Sequence, residues 1–172
     1  MRRVIYGGAM SLDGYIAGPN GEYDWIVMDP EIDFKALAAR FDMYLIGRKT
    51  FDVMRRMDPA VKSTRGIRNV VFSRTLKQSD FPSVTISADA EGVVSELREK
   101  PGKDIALFGG GELFRSLLAA GLVDGVEVSL IPVLLGGGIP LDNRPKAKVT
   151  LFSQADGRHE TPHRGPQQGR PP

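Results

Sequence analysis

Apolar positions along the chain fall into short β-prone runs separated by stretches in which they recur every three or four residues, the pattern of strands interleaved with helices. Residues 3–9 are apolar and β-prone. Ser11-Leu12-Asp13-Gly14 turns them into Tyr15-Ile16-Ala17, and Gly18-Pro19-Asn20-Gly21 makes a second turn. From Glu31 the spacing changes: Ile32, Phe34, Leu37, Ala38 and Phe41 can share one face of a helix that starts just after Pro30. Residues 43–46 read as a buried strand, and Phe51, Val53, Met54 and Met57 mark a second helix after Gly47. A polar link over 62–68 leads to a strand at 69–72, and a short strand follows at 84–86. A helix from about Asp89 to Lys100 carries Val93, Val94 and Leu97 and stops at Pro101-Gly102. After a strand at 105–108, Gly109-Gly110-Gly111 opens a helix with Leu113, Phe114, Leu117 and Leu118, which ends at Gly121, the residue type favoured just past a helix C-terminus. Strands at 126–133 and 149–152 complete the pattern. Parallel neighbours need crossover helices, so this order predicts an α/β sheet, largely parallel in its middle.

Composition narrows the class of protein. The 172 residues suit one domain, and 41% apolar with 26% charged residues is ordinary for a folded chain. A net charge of +2 gives no nucleic-acid or anionic-membrane footprint and favours a small-molecule partner. The absence of cysteine excludes disulfides, thiolate metal sites and a cysteine nucleophile, and cytoplasmic location is the default expectation. Met1-Arg2-Arg3 and the apolar run behind it resemble a signal peptide, but Gly7 and Gly8 interrupt the run and Asp13 ends it. The longest uncharged stretch is interrupted by Pro132, Pro140 and three glycines, and falls short of the roughly 20 residues a membrane span needs. The segment 154–172 lacks large apolar residues and holds four of the 12 prolines, so a disordered Pro/Gly/Arg-rich tail is expected after a domain at 1–153. His159 and His163 have metal-ligand spacing but lie among prolines and glycines with no third ligand, so no metal site is expected.

Ligands of parallel α/β sheets bind beyond the carboxyl ends of the strands, which directs attention to three places. Gly47-Arg48-Lys49-Thr50, Ser73-Arg74-Thr75 and Gly109-Gly110-Gly111-Glu112 each follow a strand and combine glycine, hydroxyl, guanidinium or a helix start, all suited to phosphate. A glycine triplet alone is as often a tight turn, and a lone arginine is more often a solvated charge; their conjunction carries the reading. Phe114 stands where the dinucleotide fingerprint needs its third glycine, and no Walker sequence occurs, which disfavours an ordinary Rossmann dehydrogenase or P-loop nucleotidase.

The blocks Met10-Ser11-Leu12-Asp13-Gly14-Tyr15-Ile16-Ala17, Leu45-Ile46-Gly47-Arg48-Lys49-Thr50-Phe51, Asn69-Val70-Val71-Phe72-Ser73-Arg74, Leu107-Phe108-Gly109-Gly110-Gly111-Glu112-Leu113 and Ile131-Pro132-Val133-Leu134-Leu135-Gly136-Gly137-Gly138 run in order over about the first 150 residues. In this the chain resembles the dihydrofolate-reductase-like superfamily, and within it the reductase domain of the bifunctional deaminase-reductases of riboflavin biosynthesis. The resemblance implies a three-layer fold with a central mixed, mostly parallel sheet flanked by helices. It implies NADPH held by Ala9, Gly47, Arg48, Lys49, Thr50, Ser73, Arg74, Gly109, Gly110, Gly111, Glu112 and Leu113. Arg48 and Arg74 suit the 2′-phosphate, because planar guanidinium groups bind phosphate oxygens in pairs. It also implies a cis peptide within the triplet, assigned to Gly110-Gly111.

Nicotinamide chemistry leaves the protein to orient substrate, exclude water and handle a proton. By the same resemblance an acid near the first helix takes the last role, with Glu31 the first choice and Asp33 the competing one; either is as readily a helix cap. Asp13, Trp25 and Ser129 are candidates for substrate contact, with turn formation, packing and backbone satisfaction as their ordinary alternatives; Tyr23 is a further cleft-lining candidate. The family's closing antiparallel hairpin is represented only by 149–152, so a homodimer that covers the remaining edge is expected. The expected activity is NADPH-dependent reduction of a pyrimidine- or pterin-like heterocycle. Closest in the family is the reductase acting on 5-amino-6-(5-phosphoribosylamino)uracil. Dihydrofolate reduction and NADP binding without turnover are the alternatives.

Overall fold

The computed structural model describes residues 1–27, 32–57 and 66–142. Glu31, the link at 62–65, the strand expected at 149–152, the tail and both histidines lie outside the described residues. Strands β1 (Val4–Ser11) and β2 (Tyr15–Ala17) are followed by helix α1 (Phe34–Ala38), β3 (Phe41–Gly47), α2 (Arg48–Met57), β4 (Arg68–Phe72) and β5 (Thr85–Ser87). Then come α3 (Ala90–Glu99), β6 (Asp104–Leu107), α4 (Gly111–Ala119), β7 (Gly125–Ile131) and β8 (Ile139–Pro140).

Six strands form one sheet in the order β5-β4-β3-β6-β1-β7, and every neighbouring pair in it is parallel. The antiparallel component lies apart, in the small β2–β8 pair. Helices cover both faces. On one, Val94 of α3 and Leu113, Phe114 and Leu117 of α4 pack on Val4, Tyr6, Met43, Leu45, Val70, Phe72, Ile105 and Leu107. Each such large apolar side chain stabilises the fold by roughly 1.5–3 kcal/mol on burial. On the other face, Phe51 of α2 packs with Ile46, Val71 and Val84. Asp89 caps α3 by accepting from Gly92 N, and Gly121, at φ 70°, follows the end of α4 as the sequence predicts.

The strand order creates a switch point. From β3 the chain runs through α2 to β4 on one side. From β6, the neighbour of β3 on the other side, it runs through α4 and past β1 to β7. The two connections leave in opposite directions, which opens a crevice beyond the carboxyl ends of β3 and β6.

The first helix corrects the sequence reading. It begins at Phe34 rather than just after Pro30, because the Asp33 carboxylate accepts from Ala36 N at 2.9 Å and fixes the start there. Phe41 does not share its face. It enters β3, where pairing with Asp104 of β6 outweighs the local helical spacing. Phe34 and Leu37 remain exposed, and no residue of α1 is buried.

A candidate cofactor cradle and ring shelf

The glycine at the end of β3 and the triplet after β6 meet backbone to backbone. Gly47 N donates to Gly109 O at 2.8 Å, and a Cβ at Gly47 would lie 3.0 Å from Gly110 N. Thr50, one turn into α2, brings its Oγ1 to 3.0 Å from the Cβ position of Gly109, which has φ 97°. The three glycines bring no side chain of their own into this junction, and the Thr50 hydroxyl closes one side of it. The cis peptide of the triplet is Gly109–Gly110, one bond earlier than the sequence reading assigns it. Gly110 is the N-cap of α4 and Gly111 its first helical residue, so the Gly110–Gly111 bond already belongs to the helix entry.

The loop after β4 joins the same crevice through Arg48. Its Nε donates to Asp52 at 2.7 Å, one turn along α2, and its Nη1 donates to Thr75 Oγ1 at 2.8 Å. Ser73 holds that loop in a tight turn: its Oγ accepts from Thr75 N and Leu76 N, and its own N–H donates to Ser87 O at 2.9 Å. Arg74 at the tip is exposed and has no ion-pair or hydrogen-bond partner among the described residues. Lys49 and Glu112 face each other at 3.6 Å across the crevice mouth, and both side chains are exposed, so the pair contributes little stability. Gly111 and Leu113 are buried at the root of α4. Arg115, from the next turn, donates to Pro140 O at 2.8 Å and ties the helix to β8.

Beyond β6 the surface changes character. Register carries one sheet face from Ile46 and Tyr44 through Ala106 and Ile5 to Gly125, then up β1 and β7 through Gly7, Ala9, Glu127 and Ser129. Ala9 lies opposite Ser129, which is exposed. Phe108, the residue before the triplet, is 45% exposed and stacks on Tyr44, with ring centroids 5.7 Å apart and planes 17° from parallel. Burial pushes the Tyr44 hydroxyl's pKa up from its ordinary value.

The remaining sequence candidates have other surroundings. Asp13 is exposed, but its carboxylate is committed: it accepts from the Ser11 hydroxyl at 2.6 Å and from the amides of Leu135 and Gly136, the latter at 2.8 Å. The Ser11 hydroxyl above all, with those amides, holds this carboxyl below the usual carboxylate range. Asp13 therefore fastens the turn after β1 to the loop before β8, with Leu12 N donating to Val133 O alongside it. Trp25 is half-buried, and its Nε1 donates within its own loop to Glu22 O at 3.1 Å. Tyr23, in the same loop, is exposed. Asp33 is an exposed helix cap. Sequence reasoning passed over Asp52, the aromatic pair Tyr44 and Phe108, and Thr75 as the partner of Arg48. Asp52 was findable from its i,i+4 spacing to Arg48, whereas the Tyr44–Phe108 contact depends on the pairing of distant strands.

The six-stranded parallel sheet with helices on both faces places the chain in the dihydrofolate-reductase-like fold class. The chain belongs to the RibD C-terminal domain family, whose model matches residues 2–155. It is 38% identical over 160 residues to the uncharacterized protein YyaP of Bacillus subtilis, covering 87% of this chain and 85% of that one. It is 27% identical over 143 residues to YwjB of the same organism, also uncharacterized, covering 81% and 82%. A solved structure of a protein provisionally assigned to riboflavin biosynthesis, from Shewanella sp. PV-4, matches with a TM-score of 0.70 at 28% identity over 88% of each chain. No described helix is long and apolar enough to cross a membrane.

Proposed function

We propose that the protein is an NADPH-dependent reductase of a pyrimidine- or pterin-like heterocycle. The observation that carries this reading is the junction of Gly47 with Gly109 and Gly110 at the switch point, joined by Arg48 to the Ser73–Thr75 turn. Membership of the RibD C-terminal domain family supports the riboflavin-type reductase class.

The residues present fit the cofactor. Gly47, Gly109 and Gly110 offer backbone without side chains where a diphosphate must approach closely, and α4 begins at that point. Arg74 is an uncompensated guanidinium on the neighbouring turn, suited to a 2′-phosphate. Arg48, neutralised by Asp52, positions Thr75 and thereby the turn itself. The bound nicotinamide would supply the hydride. The chain's own part is to hold the phosphates at the glycines, to present the small residues Gly7 and Ala9 as a floor for flat rings, and to screen them from water with Phe108 and Tyr44.

Titration with NADPH and NADH, followed by nicotinamide fluorescence, tests the reading. NADPH is expected to bind about tenfold or more tightly, the worth of one or two charged hydrogen bonds to the extra phosphate. Equal affinity for the two coenzymes would reject it. Oxidation of bound NADPH by a reducible pyrimidine or pterin separates a reductase from a protein that only binds the nucleotide.

A further inference from the structure

We infer that the protein carries a second small-molecule site, remote from the glycine crevice, which takes a small hydroxy carboxylic acid at the amino ends of β4 and β5. A cavity of about 280 Å³ opens there, lined by Arg68 and Asn69 of β4 and by Gln78, Pro82, Val84 and Thr85 at and before the start of β5. The two strands run parallel, with Val70 paired to Thr85 and Phe72 to Ser87, so the cavity lies at their opposite end from the Ser73 turn. Its outer wall is braced by one side chain. Gln78 Nε2 donates to Phe81 O at 3.1 Å and to Val84 O at 2.8 Å, while its Oε1 accepts from Ile86 N at 2.9 Å. Val84 in turn is buried in the cluster with Phe51 and Val71. A wall ordered beforehand leaves little ordering for a ligand to impose on binding.

The lining selects the chemistry of the ligand. Asn69 is only 5% exposed, and its Oδ1 is buried without a hydrogen-bond partner among the described residues. A buried acceptor left unpaired is costly, and an apolar side chain at this strand position would avoid the cost, so the amide calls for a donor that the occupant of the cavity can bring. Arg68, the next residue along the wall, is exposed and has no ion pair or hydrogen bond among the described residues. Its guanidinium suits a carboxylate. Among the described residues no aspartate or glutamate lines the cavity. The donor is therefore a neutral hydroxyl rather than an ammonium, whose charge would go unpaired beside Arg68. One small molecule can meet both demands, a carboxylate for Arg68 and a hydroxyl for Asn69, because both residues line the same cavity.

Heteronuclear NMR of the isotope-labelled full chain, with the Asn69 side-chain amide and the Arg68 Nε as reporters, tests this with L-lactate, propionate and L-alanine. Propionate lacks the hydroxyl of lactate, and alanine replaces it with an ammonium. Lactate is expected to shift both reporters and to bind about tenfold more tightly than either of the others, the scale of one hydrogen bond that satisfies a buried acceptor. Arg68→Ala should weaken lactate about tenfold or more, through loss of the charged partner. Asn69→Leu, which replaces the unpaired amide by an apolar side chain of similar size, should raise the melting temperature of the free protein and bring lactate down to the affinity of propionate. Should that variant fail to fold, the exposed Arg68→Ala and the comparison of the probes still decide. Lactate that leaves the Asn69 amide unmoved, lactate and propionate binding alike, alanine binding as well as lactate, or an Arg68→Ala variant that binds lactate unchanged would each overturn the inference. So would a folded Asn69→Leu with a lowered melting temperature, since the amide would then serve the fold itself.

Discussion

The two sides of the switch point are built from opposite materials. On the β3–β4 side, the loops carry guanidinium and hydroxyl groups fixed by hydrogen bonds: Arg48 to Asp52 and Thr75, Ser73 to the turn that follows it. On the β6–β1–β7 side, the strands present glycine and alanine, and Phe108 after β6 stacks back on Tyr44 of β3. The Gly47–Gly109 hydrogen bond joins the two, as do the bond from Phe108 N to Leu45 O and the Tyr44–Phe108 stack. A nucleotide is itself divided in this way, into a charged diphosphate ribose part and planar rings, so the proposed cofactor would match each side with one of its parts.

The shared floor can be broken first. Leu117 is fully buried beneath the sheet in the cluster that joins α4 to β1, β3 and β6. Leu117→Ala should destabilise the protein by about 2–5 kcal/mol in chemical denaturation, from lost burial plus the cavity left behind. It should weaken both sides of the crevice alike. At the junction, Gly47→Val should be more selective. A side chain there points at Gly110 N from 3.0 Å, so it must push the triplet away from β3. NADPH affinity is expected to fall by about 2 kcal/mol or more, the scale of one to two lost charge-assisted hydrogen bonds. Unaltered NADPH binding by Gly47→Val would show that the two strand ends do not form one cradle.

Much of this division was legible in the sequence because it depends on local chemistry. The strand-turn-helix punctuation at Gly47, Ser73 and Gly109 follows from apolar runs ended by glycine or hydroxyl residues, and the strands of the main sheet fall within a few positions of the expected ones, whereas β8 was not expected. What depended on distant pairing was not legible. Phe41 fits the helical spacing of Phe34 and Leu37, and only its partner Asp104, far along the chain, draws it into β3. Phe108 read as one more strand residue. Its exposure and its stacking on Tyr44 exist only once β6 is inserted between β3 and β1. Asp13 and Asp33 show a third case: residue type and turn position were evident, but the partner that claims each carboxylate was not.

Within the charged side, the two arginines should separate. Arg74 has no described partner to lose, whereas Arg48 is already compensated by Asp52. Arg74→Ala should weaken NADPH by about 1–3 kcal/mol and leave NADH nearly unchanged, as expected when one charged partner of the 2′-phosphate is removed. Arg48→Ala should weaken both coenzymes together and by less, since its loss acts through the loosened Thr75 turn. Isothermal titration of the two variants with both coenzymes gives the four affinities needed. An Arg48→Ala variant that discriminated between coenzymes more strongly than Arg74→Ala would reverse the assignment.

The smallest effect is expected where the ring side borders the β2–β8 pair, at Asp13. Its folded-state pKa is depressed, chiefly by the Ser11 hydroxyl and then by the Gly136 and Leu135 amides. A carboxylate with a depressed folded pKa contributes stability that is present above its unfolded pKa, about 3.9, and is lost as pH falls through the lower folded value. The wild-type melting temperature should therefore drop more steeply below about pH 4 than that of Asp13→Asn, whose side chain does not titrate there. Because Asp13 is exposed, the difference should be slight, and added salt should change it little, since the interactions are short hydrogen bonds rather than a distant ion pair. Among the described residues, Asp13 is the side chain that ties the 134–138 loop to the turn after β1. Identical dependence of melting temperature on pH in the wild type and Asp13→Asn would show that this carboxylate does not hold the loop.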